Sequence, residues 1–190
     1  MMVRYSTSAA LWEPVTLSEL KSNARIEHSE QDALLGTYLS AARQWAEKYC
    51  GQRFAKVEVT ESREAFPCDR LLELYVKPML TLTSVKYYDA DSVLQTLSAS
   101  EYVSDATGGT GLVQLKSGHS WPDTEDRIGA VEVKYYAGPA TVDDVPTLAK
   151  QAIILMATFW VENPENALMG KVSAPEVTAA ERLLNLLIEH

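Results

Sequence analysis

Apolar side chains recur at spacings of three and four at Leu34, Leu35, Tyr38, Leu39, Ala42, Trp45, Ala46 and Tyr49. That periodicity is one face of an amphipathic helix. Ser29 and Asp32 open it, and Gly51 supplies the residue that most readily takes the left-handed stop. A shorter helix is predicted just before, from about Leu17 to Asn23, because Thr16 and Glu19 stand at capping-box spacing in "PVTLSEL". From Lys56 the period changes to two, with Val57 and Val59 alternating with charged residues. Clusters of β-branched and aromatic residues between turn signals then predict strands near 56–64, 71–76, 83–88, 93–96, 101–103, 112–115 and 130–136. "YYDADSVLQTL" predicts a hairpin turning at Asp89 to Ser92, and "DATGGTG" a flexible tip, since its glycines weaken a packed state.

After Gly138 and Pro139 the chain loops through "TVDD". Pro146 is suited to the first turn of a helix from about Thr147 to Glu162, ended by Asn163 and Pro164. A last helix opens in "SAPE", where Ser173 and Glu176 repeat the capping-box spacing, and its apolar face is Val177, Ala180, Leu183, Leu184, Leu187 and Ile188. The pattern predicts an α+β fold: a mainly helical frame from residues 1–55 and 141–190, with a β-rich insertion at 56–140. A length of 190 residues with 46% hydrophobic content suits one domain, or one domain carrying an insertion.

Charge narrows the possible partners. Seventeen basic residues against 26 acidic ones give a net charge of -9, which disfavours a surface that grips nucleic acid by neutralising phosphates. The imbalance is zero over residues 1–55, -5 over 56–140 and -4 over 141–190. Cys50 and Cys68 lack metal-ligand or redox spacing and read as reduced thiols. The longest apolar stretch, Ala152 to Val161, is too short to cross a bilayer, and no signal-peptide pattern opens the chain, so a soluble product with no membrane association is expected.

Reactive groups are sparse. His119 in "SGHSWPDTED" lies beside Asp123, Glu125 and Asp126, so a metal or general-base site can be drawn there, although the same residues make an ordinary solvated turn. Asp143 and Asp144 precede a helix whose N-terminal dipole favours negative charge, so capping accounts for them better than a catalytic pair does. Neither cysteine has a histidine nearby in sequence to activate it. "GGTGL" is followed by strand-like "VQLK" rather than the helix a phosphate loop requires. Trp121, Trp160 and the pair Tyr135–Tyr136 lack the flanking basic clusters of base-stacking platforms, and packing is their better use.

Several stretches taken together resemble one family, the head-tail connector (adaptor) proteins of long-tailed bacteriophages and related prophages. They are "PVTLSELKSNARIEHSEQDALLGTYLSAARQWAEKYCGQRF", "LTSVKYYDADSVLQTL", "SWP" and "VEVKYYAGPATVDDVPTLAKQAIILMATFWVENPE", in the family's order and covering most of residues 14–166. The resemblance implies a structural virion protein without catalysis and without cofactors. It would form a homo-oligomeric ring, usually of twelve copies, in the neck of the virion, after synthesis in the host cytoplasm. Its partners would be the portal protein above and a stopper or tail-completion protein below, with DNA passing through the channel without specific binding. Similar proteins often have glycine where this hairpin has Ser92, an aromatic residue where this chain has Pro139, and a Pro-Tyr-Arg-like ending that "ERLLNLLIEH" lacks.

Within that reading Leu183, Leu184, Leu187 and Ile188 are the expected protein-interface residues, on a face that could equally serve the chain's own core. The alternatives are a small metal-dependent hydrolase using His119 and the adjacent acidic loop, or a DNA-binding tail accessory protein.

Overall fold

A computed structural model describes residues 3–164 and 175–188. The architecture is α+β, with the helices drawn from the N- and C-terminal segments and the strands concentrated in the middle of the chain. It divides into two compact units, Met1–Leu11 with Lys56–Ala140 and Trp12–Ala55 with Thr141–His190.

The second unit is helical: α1 (Leu17–Ala24), α2 (Asp32–Cys50), α3 (Thr147–Glu162) and α4 (Pro175–Ile188). The capping box at the start of α1 is formed, with Thr16 Oγ1 accepting the Glu19 N–H at 3.2 Å and Glu19 Oε2 accepting the Thr16 N–H at 2.7 Å. Those bonds from Thr16 hold the Glu19 carboxyl below the usual carboxylate range. Ser29 does not cap α2. Gln31 holds the cap position without a side-chain bond, and Asp32 inside the first turn meets Lys21 at 2.8 Å. Gly51 ends α2 with φ 66, as its position predicts. Pro146 likewise stands just outside α3, and the capping box expected at Ser173 and Glu176 falls outside the described residues.

The helical core gathers Leu35, Leu39, Ala42 and Ala46 of α2, Ala152, Ile153 and Met156 of α3, and Ala180 and Leu184 of α4. Leu34 and Tyr49, on the flanks of the predicted α2 stripe, remain exposed. Two charged residues of α2, Arg43 and Glu47, are buried instead.

The first unit holds two antiparallel sheets. Five strands run in the order β1 (Val3–Thr7), β2 (Val57–Arg63), β8 (Val131–Ala137), β4 (Met79–Tyr88) and β5 (Leu94–Thr96). The three-stranded sheet is ordered β3 (Leu71–Glu73), β7 (Leu112–Leu115), β6 (Tyr102–Asp105). Inward positions of β2 and β8, including Val57, Val59, Val133 and Tyr135, join Leu72, Val85, Val113 and Leu115 in one core. β1 has no sequence counterpart among the predicted strands. It pairs with β2 along all five residues, and its last four are exposed.

The Asp89–Ser92 turn forms as predicted, with Asp89 Oδ1 accepting the Asp91 and Val93 N–H groups at 3.1 and 2.9 Å. Ser92 sits at φ 61, the left-handed region that costs a residue with a Cβ about 1–2 kcal/mol. Ser92→Gly is therefore expected to raise stability, by about 0.5–1 kcal/mol once the greater freedom of glycine in the unfolded chain is set against the relief. A higher urea midpoint would register it.

The "DATGGTG" tip is held rather than loose. Met79 donates its N–H to the Gly109 carbonyl at 3.2 Å and Leu74 to the Gly111 carbonyl at 2.8 Å. A Cβ on Gly111 would lie 2.7 Å from Met79 Cβ, so this glycine permits close approach.

Candidate assembly surface

Potential reactive groups are dispersed. The His119 ring is half-exposed, 3.9 Å from Glu101, and does not gather Asp123, Glu125 or Asp126 into a ligand set. Among the described residues no group of three or more His, Cys, Asp or Glu side chains could hold a metal ion, and no helix is long and apolar enough to cross a membrane. Burial pushes the Cys50 thiol up to about 11, which leaves it neutral and unreactive near neutral pH. Asp144 does cap, but it caps its own short 3-10 turn, accepting the Thr141 N–H at 3.0 Å, three residues before α3 starts.

The aromatic residues have structural partners. Trp121 stacks on Phe66 with ring centroids 4.6 Å apart and donates its indole N–H to the Asp69 carbonyl at 2.8 Å. Trp160 packs against the helical core, Tyr135 is fully buried, and Tyr136 lies under the Lys56 ammonium at 4.7 Å. None of them is laid out as a platform for bases.

Buried charge supplies rigidity, and nothing in the sequence reading anticipated it. Glu61 and Arg63 occupy inward positions of β2, among the valines. Arg63 donates through Nε to Glu61 Oε1 at 2.8 Å and through Nη2 to the same oxygen and to the Glu73 carbonyl. Glu61 Oε2 accepts the Tyr75 N–H at 2.9 Å and the Tyr135 hydroxyl at 3.0 Å, while that hydroxyl accepts the Val76 N–H at 3.0 Å. Burial first, and the neighbouring Glu61 charge second, push the Tyr135 phenol up, so it stays a donor. Strict alternation through Val57, Val59, Glu61 and Arg63 was the available signal: two charges continue the face that the valines begin.

Helix α2 carries a matching device. Glu47 Oε1 accepts the Phe54 and Ala55 N–H groups at 3.0 and 3.3 Å, and Oε2 accepts Arg43 Nη1 at 3.1 Å and Arg53 Nη1 at 3.0 Å. Arg43 also grips Glu13 through Nε at 2.7 Å and Nη2 at 3.3 Å. Such networks fix where segments leave helices and strands.

Of the sequence-predicted interface residues, Leu184 is fully buried in the helical core, Leu183 and Leu187 pack partly against it, and Ile188 is 50% exposed beside Leu186 at 51%. Other large apolar groups that reach solvent include Tyr5, Leu11, Tyr75, Val93, Leu94, Val103 and Ile128. Exposed apolar side chains scattered singly are ordinary for a folded chain, and only those that lie together offer a surface a partner could cover.

Residues 14–93 match the family model of phage gp6-like head-tail connector proteins. The match spans both N-terminal helices and the strands from β2 up to the Asp89–Ser92 turn. No curated protein matches the chain. Among solved structures, the fold is shared with a chain in the virion of a native gene transfer agent particle, at 21% identity and a TM-score of 0.74, covering 96% of this chain and 94% of that one. It is shared with a chain in the neck of an empty gene transfer agent particle computed with C6 symmetry, at 21% identity and TM-score 0.70, covering 96% and 95%. A chain in the neck of a native particle computed with C12 symmetry gives 20% identity and TM-score 0.69, covering 97% and 94%. The similarity of fold therefore extends beyond residues 14–93 to both units.

Proposed function

We propose that this chain is a structural subunit of the neck of a phage-like particle, a head-tail connector that acts by shape and contact. The family match over residues 14–93 carries the reading, and the whole-chain likeness to chains from particle necks supports it. Copies of the subunit form a closed ring, twelve in the full neck, between the portal and a stopper or tail-completion protein. DNA passes through the opening. A net charge of -9 suits that passage, because each Lys or Arg contact to phosphate would add affinity and hence drag.

The role requires no catalysis, and the dispersed His119, Cys50 and Cys68 suit it. A metal-dependent hydrolase built on His119 and the acidic loop has no ligand set behind it among the described residues, and the charge balance disfavours a DNA-binding accessory protein. Electron microscopy of the purified chain, alone at high concentration and mixed with its portal, is expected to show closed rings with a central opening. Monomers only, with the portal present, would count against the assignment.

In the same reading Leu183, Leu187 and Ile188 of α4 meet a neighbouring virion protein, with Leu184 anchoring the helix from inside. Ile188→Asp and Leu187→Asp are expected to weaken docking at least tenfold. The melting temperature should hold for the half-exposed Ile188 and fall for Leu187 in proportion to its burial. Wild-type docking by both variants would remove α4 from the interface.

A further inference from the structure

The five-stranded sheet ends in two open edges, and the two are unlike. At one, β1 presents Arg4 and Tyr5, and the Tyr5 ring lies 5.2 Å from that of Tyr75. These tyrosines are 47% and 60% exposed, yet Tyr75 is fixed from below by its N–H bond to the buried Glu61 carboxylate. A tilted pair of rings held out of the core on a rigid backbone has the character of a contact anchor, since its few rotatable bonds leave little entropy to lose on binding.

At the other edge, β5 begins at Leu94, 47% exposed, directly after Val93 at 51% and the exposed turn residue Asp91. The segment beside the same end of β4 adds Ile128 at 66%, held where Tyr88 receives the Glu125 N–H at 3.0 Å and donates to the Ala130 carbonyl at 2.8 Å. One edge is thus aromatic with a cation and the other aliphatic with an anion. Among the described residues neither Arg4 nor Asp91 has an ion-pair partner in its own chain.

Direction agrees with charge. Each neighbouring pair across the sheet is antiparallel, so β1 and β5, four steps apart, run the same way. A second copy related by rotation about an axis near the strand direction would bring its β5 alongside β1 as a parallel neighbour. Pairing two β1 edges would set Arg4 near Arg4, a repulsive contact, whereas seating β5 on β1 in parallel with Leu94 beside Tyr5 brings Asp91 to the Arg4 end of the seam. The unlike pairing matches charges, and unlike pairing is the kind that closes into rings.

We infer that the β1 edge of one copy receives the β5 edge of the next, with Tyr5 and Tyr75 seated on Val93 and Leu94 and Arg4 facing Asp91. This contact names the subunit-to-subunit seam of the ring and rests on the connector reading above. β5 has only three residues, so the seated side chains supply more of the hold than the strand hydrogen bonds do.

The test uses two full-length variants, Tyr5→Asp, which spoils one edge, and Leu94→Asp, which spoils the other, under conditions where the wild type forms rings. Each alone is expected to lose rings, with its circular dichroism unchanged and its melting temperature within a few degrees of the wild type. Mixed in equal amounts, the two retain one intact seam between unlike partners and are expected to give dimers that grow no further. If Tyr5→Asp loosens β1, Tyr75→Ser removes the neighbouring ring from outside the strand and takes its place. Rings formed by either folded variant as by the wild type, or a mixture that stays monomeric, would overturn the seam while leaving the connector reading intact. A wild type that forms no ring even with its portal would remove that reading and the seam with it.

Discussion

Glu61→Leu lowers the stability of the chain by about 3–5 kcal/mol, the range for breaking a buried ion pair by removing one partner. The loss comes from what remains. Arg63, 8% exposed, keeps its positive charge with only the Glu73 carbonyl to meet it, and the Tyr75 N–H and Tyr135 hydroxyl lose their acceptor. With a urea dependence of about 1–3 kcal/mol/M, the denaturation midpoint should fall by roughly 1 M or more. Glu61→Gln keeps the size and one acceptor but turns an amide NH2 toward donors, so it falls between. Glu61→Leu with Arg63→Leu should recover much of the loss, because removing both charges spares the desolvation that a lone one suffers. A midpoint unmoved by Glu61→Leu would show that the network contributes nothing to stability.

Glu47→Ala has an effect of the same order in the helical unit. The carboxylate is 1% exposed and serves four donors, two guanidinium groups and two backbone amides, and alanine also leaves a void where the side chain stood. Arg43 retains Glu13, which limits the damage to one charge. The local signature is hydrogen exchange: the Phe54 and Ala55 amides, shielded in the native chain, should exchange orders of magnitude faster in the variant. Protection unchanged at those two amides would place the strength of the α2 exit elsewhere.

The parts of the fold legible in the sequence were those governed by local physics. The capping box at Thr16, the stop at Gly51, the period of α2 and α3 and the Asp89–Ser92 turn each depend on residues within a few positions of one another. Strand β1 was not read from the sequence: Val3 and Tyr5 alternate with Arg4 and Ser6, but five residues are a short run, and the strand is fixed by pairing with residues 59–63, some fifty positions later. β4 was expected from residue 83 and begins at Met79. Register shifts between Met79 and Thr81 and between Leu82 and Ser84 break the alternation there, so its first half does not read as period two.

The glycine-rich tip misled for a related reason. Three glycines signal freedom when they face solvent and contact when they face a side chain, and only the fold shows that Gly111 faces Met79. The same limit applies to α4. Its periodicity marks an apolar face but does not say how much the chain itself covers: Leu184 lies inside while Ile188, four residues on, reaches solvent.

The chain passes between its two units three times, at Leu11–Trp12, Ala55–Lys56 and Ala140–Thr141. Because synthesis runs in one direction, β8 is complete at Ala137, before α3 begins at Thr147. Both sheets can therefore close on the ribosome while Leu35 and Leu39 of α2 still await Ile153 and Met156. At about 5–20 residues per second, the 25 residues from Ala137 to Glu162 take roughly 1–5 s to appear. For that interval the nascent chain offers a greasy half-bundle, and a chaperone that shields it would raise the yield of assembly-competent subunits.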